Sequence, residues 1–511
     1  MKFNILIMTV FKLVLAAALV TASPATYDAN IGSYFRHTPP EQAVLASPSL
    51  ESGVGSEAFV HPSFTNYALR LTTPDICDTS VNQWSGFLDI SQTRHLFFWF
   101  FEARRGPKNA PLMLWLNGGP GCSSIGSGLL FENGPCSIAY GGNSTIVNQH
   151  SWNEVANIIY LEQPIGTGFS YSDDGSEVTT LADVAVDVYA FLQVFLKRFP
   201  QYSSTDFHIA AESWGGHYGP AISSCIWHQN KALATSPMSD LVKINLASLI
   251  LANGLTEPKS QFESIPDYAC DGGAPYPFLE RNGFSCRTLK AVRPGCLRMI
   301  QACYDTKSKP VCTPATFNCW FSMMGSLGSN GANPYDIRRK CEPGTALCYE
   351  ELEWVDHYMN NATIKKSLGV EPDQKFQTCN MDVNQKFYIQ GQAMLNSAVL
   401  LPEMINEGLR LLVYAGNTDS VCNYMGVERW MIRLVHDLHN EFVKAPSLVW
   451  RTKASNYSAG RFRRAGPDGG AGNVTFVEIF DAGHMAPHDQ PEATLDMVTR
   501  WVQNTPWLDS N

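Results

Sequence analysis

The sequence predicts an α/β fold: a mostly parallel central sheet, crossed over by helices and interrupted by a disulfide-rich, partly helical insertion. Three observations carry this. The apolar runs "PLMLWLN", "NIIYLEQ", "DFHIAAE", "SLILANG", "RLLVYAG" and "VTFVEIF" alternate with glycine turns and helical patterns, as strands joined by crossover helices do. Within "LADVAVDVYAFLQVFLKRFP", Val184, Val188, Phe191, Leu192 and Phe195 fall on one helical face, and Pro200 follows the end. From about residue 256 to 370 the alternation breaks into short helical pieces, with six cysteines between Cys270 and Cys319 and two more at Cys341 and Cys348.

Taken in order, the chain opens with "MKFNILIMTVFKLVLAAALVTASPA". Lys2, an apolar stretch and small residues at Val20 and Ala22 give residues 1–22 the pattern of a cleaved secretory signal. Lys12 interrupts the run, which is therefore short for a membrane anchor. Residues 23–60 are rich in Ser, Pro and small side chains and read as a propeptide or loose arm. Residues 61–255 then form the first part of the core, 256–370 the cap-like insertion, and 371–511 the second part, closing on a helix around "PEATLDMVTRWVQ".

With 45% hydrophobic and 16% charged residues, the chain folds around a large core, and disorder is excluded as its main state. A net charge of -10 argues against nucleic acid or an anionic membrane as principal partner. Fourteen cysteines suit the oxidising route that the signal implies. No C-x-x-C pair occurs, so zinc is the weaker reading of them. Acceptor triplets at Asn143, Asn361, Asn456 and Asn473 are open to N-glycosylation on that route.

The chemistry starts at "IAAESWGGHYGP". A serine lifted clear of a sheet on a sharp strand-to-helix turn needs tiny residues two places before and two after it. Ala211 and Gly215 supply them around Ser213, with Ala where the general G-x-S-x-G pattern has Gly. A serine nucleophile needs a base and the base an orienting acid. "RLLVYAGNTDS" ends a strand with Asp419, and "VTFVEIFDAGHMAPHDQP" ends one with His484. The order Ser, Asp, His is that of the α/β hydrolases. His484 and His488 stand at metal-ligand spacing for a helix, but Pro487 lies between them, so no metal is expected.

In "LWLNGGPGCSSIGSGLLFENGPC", glycines after a strand leave backbone N–H groups unshielded. The amides of Gly119 and Trp214 would make a two-donor oxyanion hole, each donor worth about 3 kcal/mol. The spacing lacks the Lys and Ser/Thr of a phosphate loop.

Together "WSGFLDI", "WLNGGPGCSSIGSGLLFENGP", "IIYLEQPIGTGFSYS", "AESWGGHYGP", "YAGNTDSVCNYMG" and "DAGHMAPHDQP" resemble, in order, the serine carboxypeptidase family, the carboxypeptidase Y type of α/β hydrolase. The resemblance implies an enzyme that releases C-terminal amino acids from peptides and proteins with a free C-terminus, through an acyl-enzyme and without a cofactor. It makes Ser213 the nucleophile, Asp419 the orienting acid and His484 the general base. It further implies that Asn117, Glu132 and Glu212, with Trp115 beside them, recognise the substrate carboxylate. Two glutamates facing an anion require that one keep a proton, so acid-favoured peptide binding is expected.

The cysteine pattern resembles the family's too, implying Cys122–Cys379, Cys270–Cys286, Cys296–Cys319, Cys303–Cys312 and Cys341–Cys348, with Cys422 a free thiol near the triad. Cys77, Cys136 and Cys225 are left open. Departures from the family are "AESW" for G-E-S-Y, Asn417 and Glu162 where Asp is usual, and one extra residue between Asn117 and Glu132. An acyltransferase on the same fold and a secreted, non-catalytic binding protein are the rival readings. The expected location is the secretory pathway, ending outside the cell or in a vacuole.

Overall fold

A computed structural model of the chain describes residues 57–62, 67–236, 240–341 and 345–508. The 1–22 signal and most of the 23–60 arm lie outside the described residues. Glu57–Val60, where that arm ends, pairs antiparallel with Ala68–Thr72 at the edge of a 13-stranded sheet.

The six strands read from the sequence are the parallel centre of that sheet. Their spatial order is Asn157–Leu161, Leu112–Leu116, Phe207–Glu212, Leu246–Ala252, Arg410–Gly416 and Val474–Ile479. Leu112–Leu116, Asn157–Leu161 and Phe207–Glu212 are buried along their whole length, as strands covered on both faces must be. Antiparallel strands flank this centre. Gln83–Asp89 and Arg94–Phe101 lie on one side, and Ser458–Ala465 and Leu448–Arg451 on the other.

The helix foreseen before Pro200 spans Leu181–Arg198, with the Thr180 side chain accepting from Asp183 N at its start. Its apolar stripe packs on the sheet through Phe191 against Phe98 and Phe195 against Phe100, with ring centroids 5.2 and 5.3 Å apart. The closing helix spans Pro491–Val502.

Among the described residues, no strand of the large sheet occurs between Ala252 and Arg410. Helices Pro258–Cys270, Phe284–Thr306 and Lys309–Cys319 are cross-linked there by Cys270–Cys286, Cys296–Cys319 and Cys303–Cys312. A short hairpin, Ala332–Asn333 with Asp336–Lys340, follows before Cys341–Cys348. Helical structure continues past residue 370, through Met381–Ile389 and Leu401–Asn406, so the interruption of the sheet runs to its next strand at Arg410. Cys122–Cys379 ties the interruption to the glycine loop, and Cys77 pairs with Cys136. Cys225 and Cys422 are free and buried.

Candidate active site

Ser213 sits at the carboxyl end of the strand Phe207–Glu212 and just before the helix Gly215–Thr235. Its φ is +60°, a conformation that costs an L-residue energy and persists only where neighbours enforce it. Two hydrogen bonds do so: Ser213 N donates to Ala252 O at 2.9 Å, and Leu255 N to Ser213 O at 2.8 Å. The small-residue argument is visible in the packing, since a Cβ added to Gly215 would stand 2.8 Å from the Ala211 methyl. One more methyl group would open the turn.

Asp419 and His484 meet at the ends of the neighbouring strands Arg410–Gly416 and Val474–Ile479. Asp419 Oδ2 lies 2.7 Å from His484 Nδ1, with both side chains buried. Asp419 Oδ1 accepts from Val421 N and Cys422 N, and Oδ2 also accepts from Asn253 Nδ2 at 2.9 Å. A carboxylate so supplied with donors holds the imidazole with its other nitrogen, Nε2, free to take a proton. Nε2 has no hydrogen-bond partner among the described residues, and Ser213 makes no direct bond to it. Such contacts are commonly long in unliganded enzymes and tighten with substrate.

A pocket opens over Ser213 between Gly119, Trp214, Leu255 and Cys422. A Cβ on Gly118 would stand 2.3 Å from Trp214 N, so the glycine loop and the serine turn are in backbone contact. Neither Gly119 N nor Trp214 N donates to another group among the described residues. The loop is held from behind: Ser123 Oγ and Ser124 N donate to the buried Glu162, at 2.6 and 3.1 Å. Burial raises that carboxyl to about 8. A cavity of about 670 Å³ between Pro111, Asp206 and Val502 lies at the opposite, amino end of the strands and adjoins none of these groups.

Asn117, Glu132 and Glu212, the last next to Ser213 in the chain, converge in one buried group. Asn117 Nδ2 donates to Glu132 Oε1 at 2.9 Å and to Glu212 Oε1 at 3.0 Å, while Trp115 Nε1 fixes the amide by donating to Asn117 Oδ1 at 2.6 Å. Glu132 arrives on the π-wound helix Ser124–Asn133, whose Gly128 is required because a Cβ there would stand 2.1 Å from Trp115 Nε1. Burial raises Glu132 to about 7. Burial and then the Glu132 charge push Glu212 well above the ordinary carboxylate range. Two carboxyls so close cannot both ionise cheaply, and the group stores a proton.

Cys422 Sγ, an Asp419 oxygen and a His484 nitrogen lie within 4.8 Å of one another. Burial and Asp419 hold the thiol well above its usual value, so it remains protonated. His488 is engaged elsewhere, its Nδ1 meeting Phe131 O at 3.1 Å and its ring stacking on Phe131. Of the glycosylation acceptors, Asn143, Asn361 and Asn456 are exposed and Asn473 is half-buried. Sequence reasoning missed Asn253 and the hairpin that touches both catalytic loops. Neither has a local signal, because their partners lie far away in the chain.

A family model described as serine carboxypeptidase matches residues 74–504. Carboxypeptidase Y of Candida albicans is 41% identical over 440 residues, covering 86% of this chain and 76% of that one. Carboxypeptidase Y homolog A of Talaromyces marneffei is 42% identical over 428 residues, covering 83% of this chain and 73% of its own. A prohormone-processing carboxypeptidase of Saccharomyces cerevisiae superposes with a TM-score of 0.72 at 23% identity, over 86% of this chain and 96% of that one, a likeness of fold. The chain therefore belongs to the serine carboxypeptidase family, with the α/β-hydrolase fold, and is a serine-type carboxypeptidase acting on peptides.

Proposed function

We propose that Ser213 Oγ attacks the last peptide carbonyl while His484 Nε2 takes its proton, with Asp419 stabilising the imidazolium. The amides of Gly119 and Trp214 receive the oxyanion. Its collapse expels the C-terminal amino acid, protonated by His484, and water then hydrolyses the acyl-enzyme by the same steps in reverse. The observation that carries exopeptidase action is the buried Glu132–Asn117–Glu212 group. A carboxyl that keeps its proton donates a hydrogen bond to the substrate carboxylate, and Asn117 helps to orient it. No stable membrane anchor is part of this reading, and no helix of the described residues is long and apolar enough to cross a membrane. Six disulfides fit passage through an oxidising secretory route, ending outside the cell or in a vacuole, with glycans on Asn143, Asn361, Asn456 and Asn473.

The pH sign follows from the raised carboxyls. Between the unfolded value of 4.5 and about 7, the native Glu132 binds more proton than the unfolded chain, so its contribution to stability falls as pH rises through that window. Substrate binding follows the same direction, because the donor is lost as the pair ionises. The test is amino-acid release from an N-blocked dipeptide and from its C-terminally amidated twin, from about pH 4 to about pH 8, with Ser213→Ala as control. KM for the free acid should climb towards the alkaline end, KM for the amide should stay flat, and both activities should vanish in the variant. A free acid bound best at the alkaline end would remove the protonated pair from the mechanism.

A further inference from the structure

The two loops that carry Asp419 and His484 are joined through the insertion. Its hairpin, Ala332–Asn333 with Asp336–Lys340, lies across both. Towards Asp419, Ile337 N donates to Thr418 O at 3.0 Å, Thr418 Oγ1 donates to Asp336 Oδ1 at 2.9 Å, and Ser420 N donates to Pro334 O at 3.0 Å. Towards His484, His484 N donates to Tyr335 O at 2.7 Å and Gly483 N donates to Asp489 Oδ2 at 2.6 Å. Arg338 closes the circuit. Its Nε and Nη2 donate to the two oxygens of Asp336 at 2.8 Å each, Nη2 lies 3.1 Å from Asp489 Oδ2, and Nη1 donates to Asp481 O.

The surroundings are cut to fit this strut. A Cβ on Gly483 would stand 2.5 Å from Tyr335 O and 2.8 Å from the Asp336 Cβ, while one on Gly416 would stand 2.2 Å from Gly483 O. Asp336 is fully buried, and taking a carboxylate out of water is costly unless its lone pairs are met. Here they are met by Thr418, Arg338 and Arg339, the last at 3.2 Å. A brace that only held the insertion down could sit anywhere on its rim; this one grips residues next to both members of the acid-base pair.

We propose that Asp336, acting through Arg338 and Asp489, is a positioning residue that fixes the Asp419 loop against the His484 loop, so that the insertion sets the geometry of the Asp419–His484 pair. The inference rests on the catalytic roles proposed above. Its test uses the full-length enzyme with Asp336→Asn, Arg338→Gln and Arg338→Lys. The control is Arg429→Ala, which removes ion pairs to Asp267 at 2.9 Å and Glu263 at 3.6 Å on an insertion helix and none to the Asp419 or His484 loop. kcat and KM for the N-blocked dipeptide, the rate of Ser213 labelling by a fluorophosphonate, and Tm are measured for each.

Asp336→Asn and Arg338→Gln should lower kcat and the labelling rate together by about tenfold or more, with KM within about twofold. Arg338→Lys should recover part of that loss, and Arg429→Ala should lower Tm while leaving kcat unchanged. The proposal is overturned if folded Asp336→Asn keeps kcat within about twofold, if KM alone moves, or if activity falls only with the unfolded fraction, as in the control. Should Asp336→Asn not fold, the two Arg338 variants decide by the same criteria. Wild-type enzyme that resists labelling at Ser213 would instead refute the assigned triad, a separate result.

Discussion

The Ser213 turn is shaped by close packing of small residues, Ala211 and Gly215 beside it and Gly118 from the glycine loop, whereas Asp419 and His484 are held by hydrogen bonds from Asn253, 166 positions before Asp419, and from the hairpin around Asp336. The Ser213 turn is a matter of volume. An added Cβ on Gly215 would stand 2.8 Å from the Ala211 methyl and one on Gly118 2.3 Å from Trp214 N, so neither position has room for a methyl group. The Asp419–His484 pair is a matter of bracing, with Asn253 and the hairpin around Asp336 supplying hydrogen bonds from outside both of its loops. Two halves of one site therefore depend on different parts of the sequence, and they should fail differently.

His484→Ala is expected to show the largest effect, a loss of about ten-thousandfold in kcat with substrate binding retained, checked by single-turnover release and equilibrium binding. It tests the braced half at its centre. Gly118→Ala comes next, because its methyl would push the glycine loop away from Trp214 N. About a hundredfold loss of kcat is expected, with a lower Tm. A Gly118→Ala enzyme with intact kcat would break the comparison, since local volume would then not be what shapes the nucleophile half. Asn253→Ala should be smallest. Losing one donor to Asp419 removes about 1 kcal/mol, or roughly fivefold in kcat, readable against an unchanged KM.

The same division decides what could be read from the letters. The six central strands were legible because each is a continuous apolar run, and the serine turn because its small residues lie beside it. The flanking strand Ser458–Ala465 carries three arginines and one large apolar side chain, Phe462, and has no comparable apolar run. The carboxyl pair was reached only through family resemblance; nothing in "FENGP" says that Glu132 will meet a residue 80 positions later. The Cys77–Cys136 pair was left open because spacing alone does not fix pairing. "PYDIRRK" carries no signal of its own, and its grip on the loops of Asp419 and His484 exists only once residues near Thr418 and Asp489 have folded against it.

The tether of the glycine loop has a consequence in time. Cys122 is bonded to Cys379, Ser123 N donates to Thr378 O at 2.7 Å, Asn380 N to Gly121 O at 2.8 Å, and Asn384 Nδ2 to Gly119 O at 2.9 Å. The glycine loop is thus fixed by a segment synthesised 257 residues after it, and by an oxidation. A nascent chain still on the ribosome, or one kept in a reducing cytosol, carries Ser213 without the full set of contacts that hold the loop over it.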